Sequence, residues 1–528
     1  MPMASFRFFE ILPGALSWLT LFLMVFLSWY APAFVAVFII LFDIYWLLKT
    51  IYLSLHLRSA FSIMKKNLKI NWLDELRKLQ APGAQLAFGD WQDIYHLVIL
   101  PMYREPYVVV KESFERLAAA NYPKEKLLVV LATEEDALRP IRKSQDRPEE
   151  FEGRQSSGQA GGEASETAER IEKEFGQKFS KFLITVHPSG LPKEIPGKGS
   201  NETWAGKEAK EKILDKFGIE YDKVLVSVFD VDTQIYPDYF GRLTYVFLKS
   251  ENRMRAIYQP IPLFINNIYQ APALARVISF SSTFWQMMQQ SRPERLTSFS
   301  SQSVPFRALL DVGFWQTNVV SEDSRIFWQG YLRYHGDFRV EPLFYPVSMD
   351  ANAAPGFWET MKNNYRQHRR WAWGCENIPY LLDGFGKDPL IPKRKKWYWS
   401  FNTIEGFHSW ATNALMIFAL GWLPVLLGGD KFGVSLLSYS LPSITRFIVG
   451  LSMVGMASAA ILGILLLPPR PEPLRLHQHV WYFVQWLLLP FTLIIFGCFP
   501  ALESQTRMML GGKWRLGFWT TPKTRPGS

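Results

Sequence analysis

Between Ile11 and Phe42 the chain carries no charged residue, and the apolar character continues past Asp43 to about Leu57 with only Lys49 interrupting. A bilayer core of about 30 Å needs about 20 apolar residues in helical form. The stretch is therefore long enough for two spans, near 12–30 and 33–55, turning around Tyr30-Ala31-Pro32. A cleavable leader is the competing reading, because Arg7 precedes the run and Ala31-Pro32-Ala33 offers small residues for cleavage. A leader core is only roughly 7–15 residues long, and here a second apolar run follows at once, which argues for spans. Arg58, Lys65, Lys66 and Lys69 come next and put the central region on the cytoplasmic side by the positive-inside rule.

Three more charge-free stretches stand near the other end, at about 409–428, 447–468 and 480–502. They are preceded by Lys393-Arg394-Lys395-Lys396 and then Trp397, Tyr398 and Trp399, a mixture that suits a cytoplasmic membrane interface. Three simple spans would leave the tail outside, whereas Arg507, Lys513, Arg515, Lys523 and Arg525 argue for inside. Either 480–502, broken by Pro490 and Pro500, is re-entrant or interfacial, or 430–468 holds an extra short span.

Composition matters here mainly for what it excludes. With 48% hydrophobic and 20% charged residues, the 528-residue chain is not mainly disordered. Its two cysteines, Cys375 and Cys498, make neither a disulfide framework nor a four-thiolate zinc site. The net charge of +10 suits nucleic acid or an anionic membrane surface, and much of it lies beside the apolar runs. No nucleic-acid partner is therefore expected. The mean hydropathy of −0.02 averages apolar ends with a soluble middle.

That middle, 85–385, reads as alternating strands and helices. His96–Leu100, Lys126–Ala132 and Lys223–Phe229 are buried-strand patterns, with a helical pattern from Tyr107 to Ala120 between the first two. Strand, helix, strand implies parallel pairing, with ligands at the carboxyl ends of the strands. The expected fold class is α/β with a mainly parallel sheet, plus α-helical transmembrane segments at both ends. Residues 139–165 are charged and Gly/Ser/Gln-rich, and read as a flexible insertion.

Asp230-Val231-Asp232 directly follows the third strand. Two carboxylates one residue apart at an open strand end can share a hard divalent cation, although an acidic turn would look the same. Ser321-Glu322-Asp323 starts a helical pattern and suits an N-cap with acids in the first turn. Gln367-His368-Arg369-Arg370-Trp371 follows Phe357, Met361 and Tyr365 at helical spacing. An Arg fork fits phosphate oxygens and a Trp face fits a sugar ring, while an interface helix would use the same residues.

In this order, and between apolar blocks, Asp-x-Asp, Ser-Glu-Asp and Gln-x-x-Arg-Trp resemble the membrane-integrated family 2 glycosyltransferases, which include cellulose, hyaluronan and chitin synthases. The resemblance implies a GT-A-like nucleotide-sugar-binding domain. Leu100-Pro101-Met102-Tyr103-Arg104-Glu105-Pro106 resembles the family's first nucleotide-contacting loop, here with Pro101, Tyr103 and Glu105. Gly197-Lys198-Gly199-Ser200-Asn201 resembles its Gly-Lys-x-x-Asn segment, giving Lys198 and Asn201. Phe518-Trp519-Thr520-Thr521-Pro522-Lys523 resembles a gating-loop motif in which Thr521 and Lys523 face phosphate. Where the family has Asp-Asp-Gly this chain has Thr133-Glu134-Glu135-Asp136, with Glu134 aligned to the nucleotide contact; Thr520 stands where Val is usual.

By resemblance, Asp323 is the catalytic base and Arg370 meets the diphosphate. Asp230 and Asp232 bind a divalent cation, Mg²⁺ or Mn²⁺, and Asp230 also supports the nucleotide. Glu322 lies at the substrate, and Gln367 and Trp371 line the acceptor end. The implied reaction is inverting transfer from a nucleotide-diphosphate sugar, UDP-sugars favoured, to a carbohydrate acceptor by a processive polysaccharide synthase. Single addition to a lipid-linked acceptor is the alternative, and a transporter, channel or inactive nucleotide-sugar sensor are readings of another class. Asp43, the one acid inside the first apolar block, would support transport, or would pair with Lys49 or Arg446. The expected layout is two N-terminal helices in 1–60, a linker in 61–84, and the catalytic domain in 85–385. An interface segment at 386–403, a membrane region at 404–502 and a cytoplasmic tail at 503–528 complete it. The expected location is the cell membrane, multi-pass, in contact with lipids and with the catalytic domain cytoplasmic; oligomeric state is open.

Overall fold

The computed structural model describes residues 3–79, 90–138, 160–470 and 475–523. It forms two compact units, one of Met1–Ser59, Pro272–Met288 and Asn364–Leu516, the other of Ala60–Ala271, Gln289–Asn363 and Gly517–Ser528.

The first unit is helical. Its opening apolar run forms Met3–Tyr30 and Pro32–Asn67, separated at Ala31, where the fixed φ of Pro32 suits a helix start. Among the described residues four helices are long and apolar enough to cross a membrane: Phe6–Tyr30, Pro32–Asn67, Leu436–Leu465 and Leu476–Leu510. A further pair, Lys393–Phe418 and Leu420–Leu427, bends by 50°. The basic-aromatic segment expected to lie at an interface is thus the start of a helix that runs on to Phe418. Pro490 and Pro500 do not end the last helix. A 3-10 turn over Gln485–Leu488 and a wider π turn over Leu493–Cys498 re-pair the backbone beside them. Lys49, one of the two partners offered for Asp43, pairs instead with Glu405 at 3.1 Å.

The second unit is built on an eight-stranded sheet. Its strands are β1 Tyr95–Pro101, β2 Leu127–Glu134, β3 Lys181–His187, β4 Val224–Val228, β5 Gln234–Ile235, β6 Ala256–Phe264, β7 Ser303–Pro305 and β8 Arg339–Met349. Their order is β3-β2-β1-β4-β7-β6-β8-β5. The sheet is mixed: β1–β2, β1–β4, β2–β3 and β6–β8 are parallel, while β4–β7, β6–β7 and β5–β8 are antiparallel. β2 and β4 are buried along their whole length, as strands covered on both faces must be. Val98, Ile99 and Leu100 of β1 are also enclosed, each worth about 1.5–3 kcal/mol relative to exposure.

Helix Tyr107–Ala118 joins β1 to β2, close to its expected limits. The expected linker at 61–84 is helical through Asn67 and again over Trp72–Leu79. Trp72 and Leu76, one helical turn apart, pack into the sheet's core, so this segment is part of the fold. Of the expected insertion, 139–159 lies outside the described residues, and from Ala160 the chain is helical to Phe175. Ala168, Ile171 and Phe175 on that helix enter the same core.

The chain runs from β1 outward to β2 and β3, then returns to β4 on the other side of β1. Such a reversal opens a crevice at the carboxyl ends of β1 and β4. Phe229 donates its N–H to Ile99 O at 3.0 Å, which sets the loop after β4 beside the one after β1.

Candidate active site

Lys198 opens helix Lys198–Ala209, and four acids gather on its ammonium. Nζ lies 2.8 Å from Asp323 Oδ2, 2.9 Å from Asp230 Oδ1, 3.4 Å from Glu202 Oε1 and 3.9 Å from Glu322 Oε1. It also donates to Asp323 Oδ1 at 2.9 Å, so it grips both oxygens of that carboxylate. Glu202 sits one turn beyond Lys198 on the same helix face, and Glu322 and Asp323 open helix Glu322–Arg333. Ser321 stands at the N-cap position as expected, but its side chain makes no capping hydrogen bond.

Charge rather than packing governs this nest. Burial alone would lower the Lys198 pKa, but Asp230, Asp323, Glu202 and Glu322 together hold it well above its ordinary value. Glu202 is driven well up, first by burial and then by its acidic neighbours, against the opposing pull of Lys198. Burial would raise Asp230 too, yet Lys198, Lys523 and a hydrogen bond from Ser300 hold it below the usual carboxylate range. Ser300 Oγ donates to Asp230 Oδ2 at 2.7 Å.

Asp232 is fully enclosed. Its Oδ2 accepts from Lys523 Nζ at 2.7 Å and from the Asp350 N–H at 2.9 Å. Its Oδ1 is buried with no hydrogen-bond partner among the described residues. Its pKa is raised, mainly by burial, with Asp350 and Asp230 adding to the rise and Lys523 opposing it. Asn266 Nδ2 ties the loop by donating to Asp232 O at 3.0 Å and Asp350 Oδ1 at 3.2 Å. From the loop after β1, Glu105 accepts the Tyr103 N–H at 2.7 Å. Burial raises the Glu105 pKa, while the Tyr103 and Glu105 N–H groups and Lys523 oppose the rise.

A buried carboxylate oxygen left without a donor is costly unless something else satisfies it. The donor set around Asp230 and Asp232 is all hard oxygen and fits Mg²⁺ or Mn²⁺. Carboxylate oxygens of Glu202, Glu322 and Asp323 also lie within 4.8 Å of one another and form a second group able to face a cation.

The tail segment Gly517–Ser528 belongs to this same unit. A Cβ placed on Gly197 would fall 2.5 Å from the Phe518 ring, and Gly197 has φ +151°, a region that side chains rarely adopt. Thr521 is buried, its hydroxyl without a hydrogen-bond partner among the described residues. Gly197→Ala should loosen this segment. A strain of about 1–3 kcal/mol corresponds to roughly tenfold faster tryptic cleavage of the tail. Unchanged cleavage would show that Phe518 does not need the space over Gly197.

The sequence-derived residues do not all gather here. Asp230, Asp232, Glu322, Asp323, Lys198, Glu105 and Lys523 do. Asn201 instead donates from Nδ2 to Ala132 O at 2.9 Å and tethers its helix to β2. Pro101 ends β1 and Glu134 ends β2, in register with His187 of β3. Gln367, Arg370 and Trp371 lie on helix Phe357–Ala372, within the part that belongs to the helical unit. There Glu503 receives Arg369 and the Tyr365 hydroxyl, each at 2.8 Å. Glu202, Ser300, Asn266 and Asp350 were not anticipated. Only Glu202 carried a signal, its i,i+4 spacing from Lys198.

No family model matches the chain, and no curated protein matches it. Among solved structures it is similar to a mannosyltransferase from Pyrobaculum calidifontis bound to GDP-mannose and Mn²⁺, at 13% identity and TM-score 0.35, covering 78% of this chain and 99% of that one. It is also similar to residues 1–349 of S. aureus TarS in complex with UDP-GlcNAc, at 14% identity and TM-score 0.35, covering 80% and 93%. Both are distant likenesses, and the functional reading rests on this chain's own residues.

Proposed function

We propose that the protein is a membrane-anchored, inverting glycosyltransferase that moves a sugar from a nucleotide-diphosphate donor to a carbohydrate acceptor, as a processive synthase of the family 2 type. The observation that carries this is Asp232, enclosed after β4 with an unpartnered oxygen, next to Asp230, which shares Lys198 with Asp323. The apolar helices anchor the chain as a multi-pass membrane protein, with the sheet unit on the cytoplasmic side.

In this reading the acceptor hydroxyl attacks the anomeric carbon. The new glycosidic C–O bond forms as the bond to the diphosphate oxygen breaks, and the hydroxyl proton passes to Asp323. A base within hydrogen-bond reach is needed because the hydroxyl is a poor nucleophile at neutral pH. Lys198 orients both oxygens of Asp323. Asp232 and Asp230 would hold the divalent cation, which neutralises charge on the leaving diphosphate. The family resemblance, and nothing else, assigns Arg370 as a fork for phosphate oxygens. Thr521 and Lys523 face phosphate from the tail and Glu322 lies at the sugar, while the assignment of Gln367 and Trp371 to the acceptor end comes from the family resemblance alone. Pro101, Tyr103, Glu105 and Glu134 border the nucleotide, and Asn201 supports them by tethering its helix to β2.

Membranes containing the protein should release nucleoside diphosphate from one member of a panel of UDP- and GDP-sugars, and chelation should stop the release. No release from any donor would remove the enzyme reading and favour a nucleotide-sugar sensor. Products longer than one added sugar support polymer synthesis; strictly single additions would assign the chain to a lipid-linked or short acceptor.

Lys523 and a cation compete for Asp232 in this account. Lys523→Ala should therefore tighten Mn²⁺ binding without nucleotide by roughly tenfold, equal to about 1.4 kcal/mol. Free Mn²⁺ measured by electron paramagnetic resonance checks this, and unchanged or weaker binding contradicts it.

A further inference from the structure

In the helical unit, a groove of about 370 Å³ is lined by Trp18, Phe499, Leu502, Leu510 and Trp514, with Glu503 and Arg507 on its wall. Trp18, Phe499, Leu510 and Trp514 are all more than one-third exposed. Trp18 Nε1 donates to Thr506 Oγ1 at 2.9 Å, which joins the first helix to the last along this groove.

Cations crowd the same corner. Arg507 and Arg369 each bind Glu503 Oε1 at 2.8 Å. Arg7 binds Glu10 at 2.9 Å and Met508 O at 3.0 Å, and Arg515 also binds Glu10. Lys513 stands 5.9 Å from the centre of the Trp514 ring. Five cations (Arg7, Arg369, Arg507, Lys513 and Arg515) face two carboxylates (Glu10 and Glu503), an excess of 5 − 2 = 3 positive charges. An apolar groove between membrane-length helices, with tryptophans and excess positive charge beside it, matches a lipid with an anionic headgroup.

We infer that this groove holds one anionic phospholipid, its phosphate drawn to Arg507 and Lys513 and an acyl chain lying along Leu502, Leu510 and Trp514. Arg369 shares Glu503 with Arg507, so a headgroup drawing on Arg507 also acts on the end of the helix that carries Gln367, Arg370 and Trp371. The inference rests on the helical unit lying in a bilayer and is independent of the transfer chemistry.

The full chain in detergent, offered equal phosphatidylglycerol and phosphatidylcholine, is examined by native mass spectrometry for retained lipid. The expected result is one retained phosphatidylglycerol, preferred about tenfold, the ratio given by about 1.4 kcal/mol. Arg507→Gln should abolish that preference, and Trp514→Ala, at an exposed position that folding tolerates, should weaken retention. Phosphatidylglycerol should also raise the thermal midpoint of the native chain more than that of Arg507→Gln. Equal retention of both lipids, a preference untouched by both variants, or the same thermal rise with inorganic phosphate alone would overturn the inference. No readout uses a sugar donor, so the lipid site can fail while the transferase reading stands, and the reverse.

Discussion

Asp323→Asn is expected to lower sugar transfer by roughly 10²- to 10⁴-fold, the range a positioned base contributes, while leaving nucleotide binding largely intact. The geometry makes this substitution informative. Lys198 donates to both Asp323 oxygens, at 2.8 and 2.9 Å. Asparagine keeps the shape and one acceptor oxygen but cannot take a proton from the acceptor. Asp323 O also accepts from Ser298 and Gln302, which fix its backbone whatever the side chain. Donor binding and turnover measured on the same preparation separate the two roles. Equal loss of both would mean that Asp323 holds the site together and is not its base.

Lys198→Met should be the most damaging single change to stability. It leaves Asp230, Glu202, Glu322 and Asp323 around an apolar chain, and breaking a buried ion pair by removing one partner costs about 3–5 kcal/mol. The pH dependence comes from linkage. In the native chain the raised Lys198 pKa contributes stability that is present below its unfolded value of 10.5 and is lost as pH rises through the folded value. The lowered Asp230 pKa contributes stability that is present above 3.8 and is lost as pH falls through its folded value. The raised Glu202 pKa means that ionising this group opposes folding. Without the ammonium, Asp230 and Glu202 lose the charge that opposes the rise burial imposes on them. The variant should therefore bind more protons folded than unfolded and melt lower at pH 8 than at pH 5, and Mn²⁺ should recover part of the loss. A variant as stable as the native chain at pH 8 would show that the acids do not depend on Lys198.

The parts of this structure that could be read from the sequence share a physical trait. β1, β2 and β4 are short apolar runs buried on both faces, so their patterns stood out. β6 and β8 did not, because Pro260, Pro262, Pro342 and Pro346 interrupt them. Their pairing is irregular between Gln259 and Ile261, where Pro260 has no N–H to donate. β7 has three residues and β5 two, too short for any period to show. Asp230 and Asp232 were legible because they come directly after an apolar strand, where the change from apolar to acidic is abrupt. The Asp350 N–H on Asp232 was not, because a backbone donor from the end of β8 leaves no mark in residue type. Lys523 was assigned to phosphate by resemblance, and its contact with Asp232 adds a role that motif matching does not express.

The central claim is that Asp232 belongs to a cation site shared with a nucleoside diphosphate. Electron paramagnetic resonance of Mn²⁺ bound to the full chain with UDP or GDP tests it, because phosphorus coupling reports direct metal–phosphate contact. The expected result is one Mn²⁺ per chain showing that coupling, lost in Asp232→Asn. Mn²⁺ held equally well by Asp232→Asn, or bound without phosphorus coupling to either nucleotide, would contradict the account.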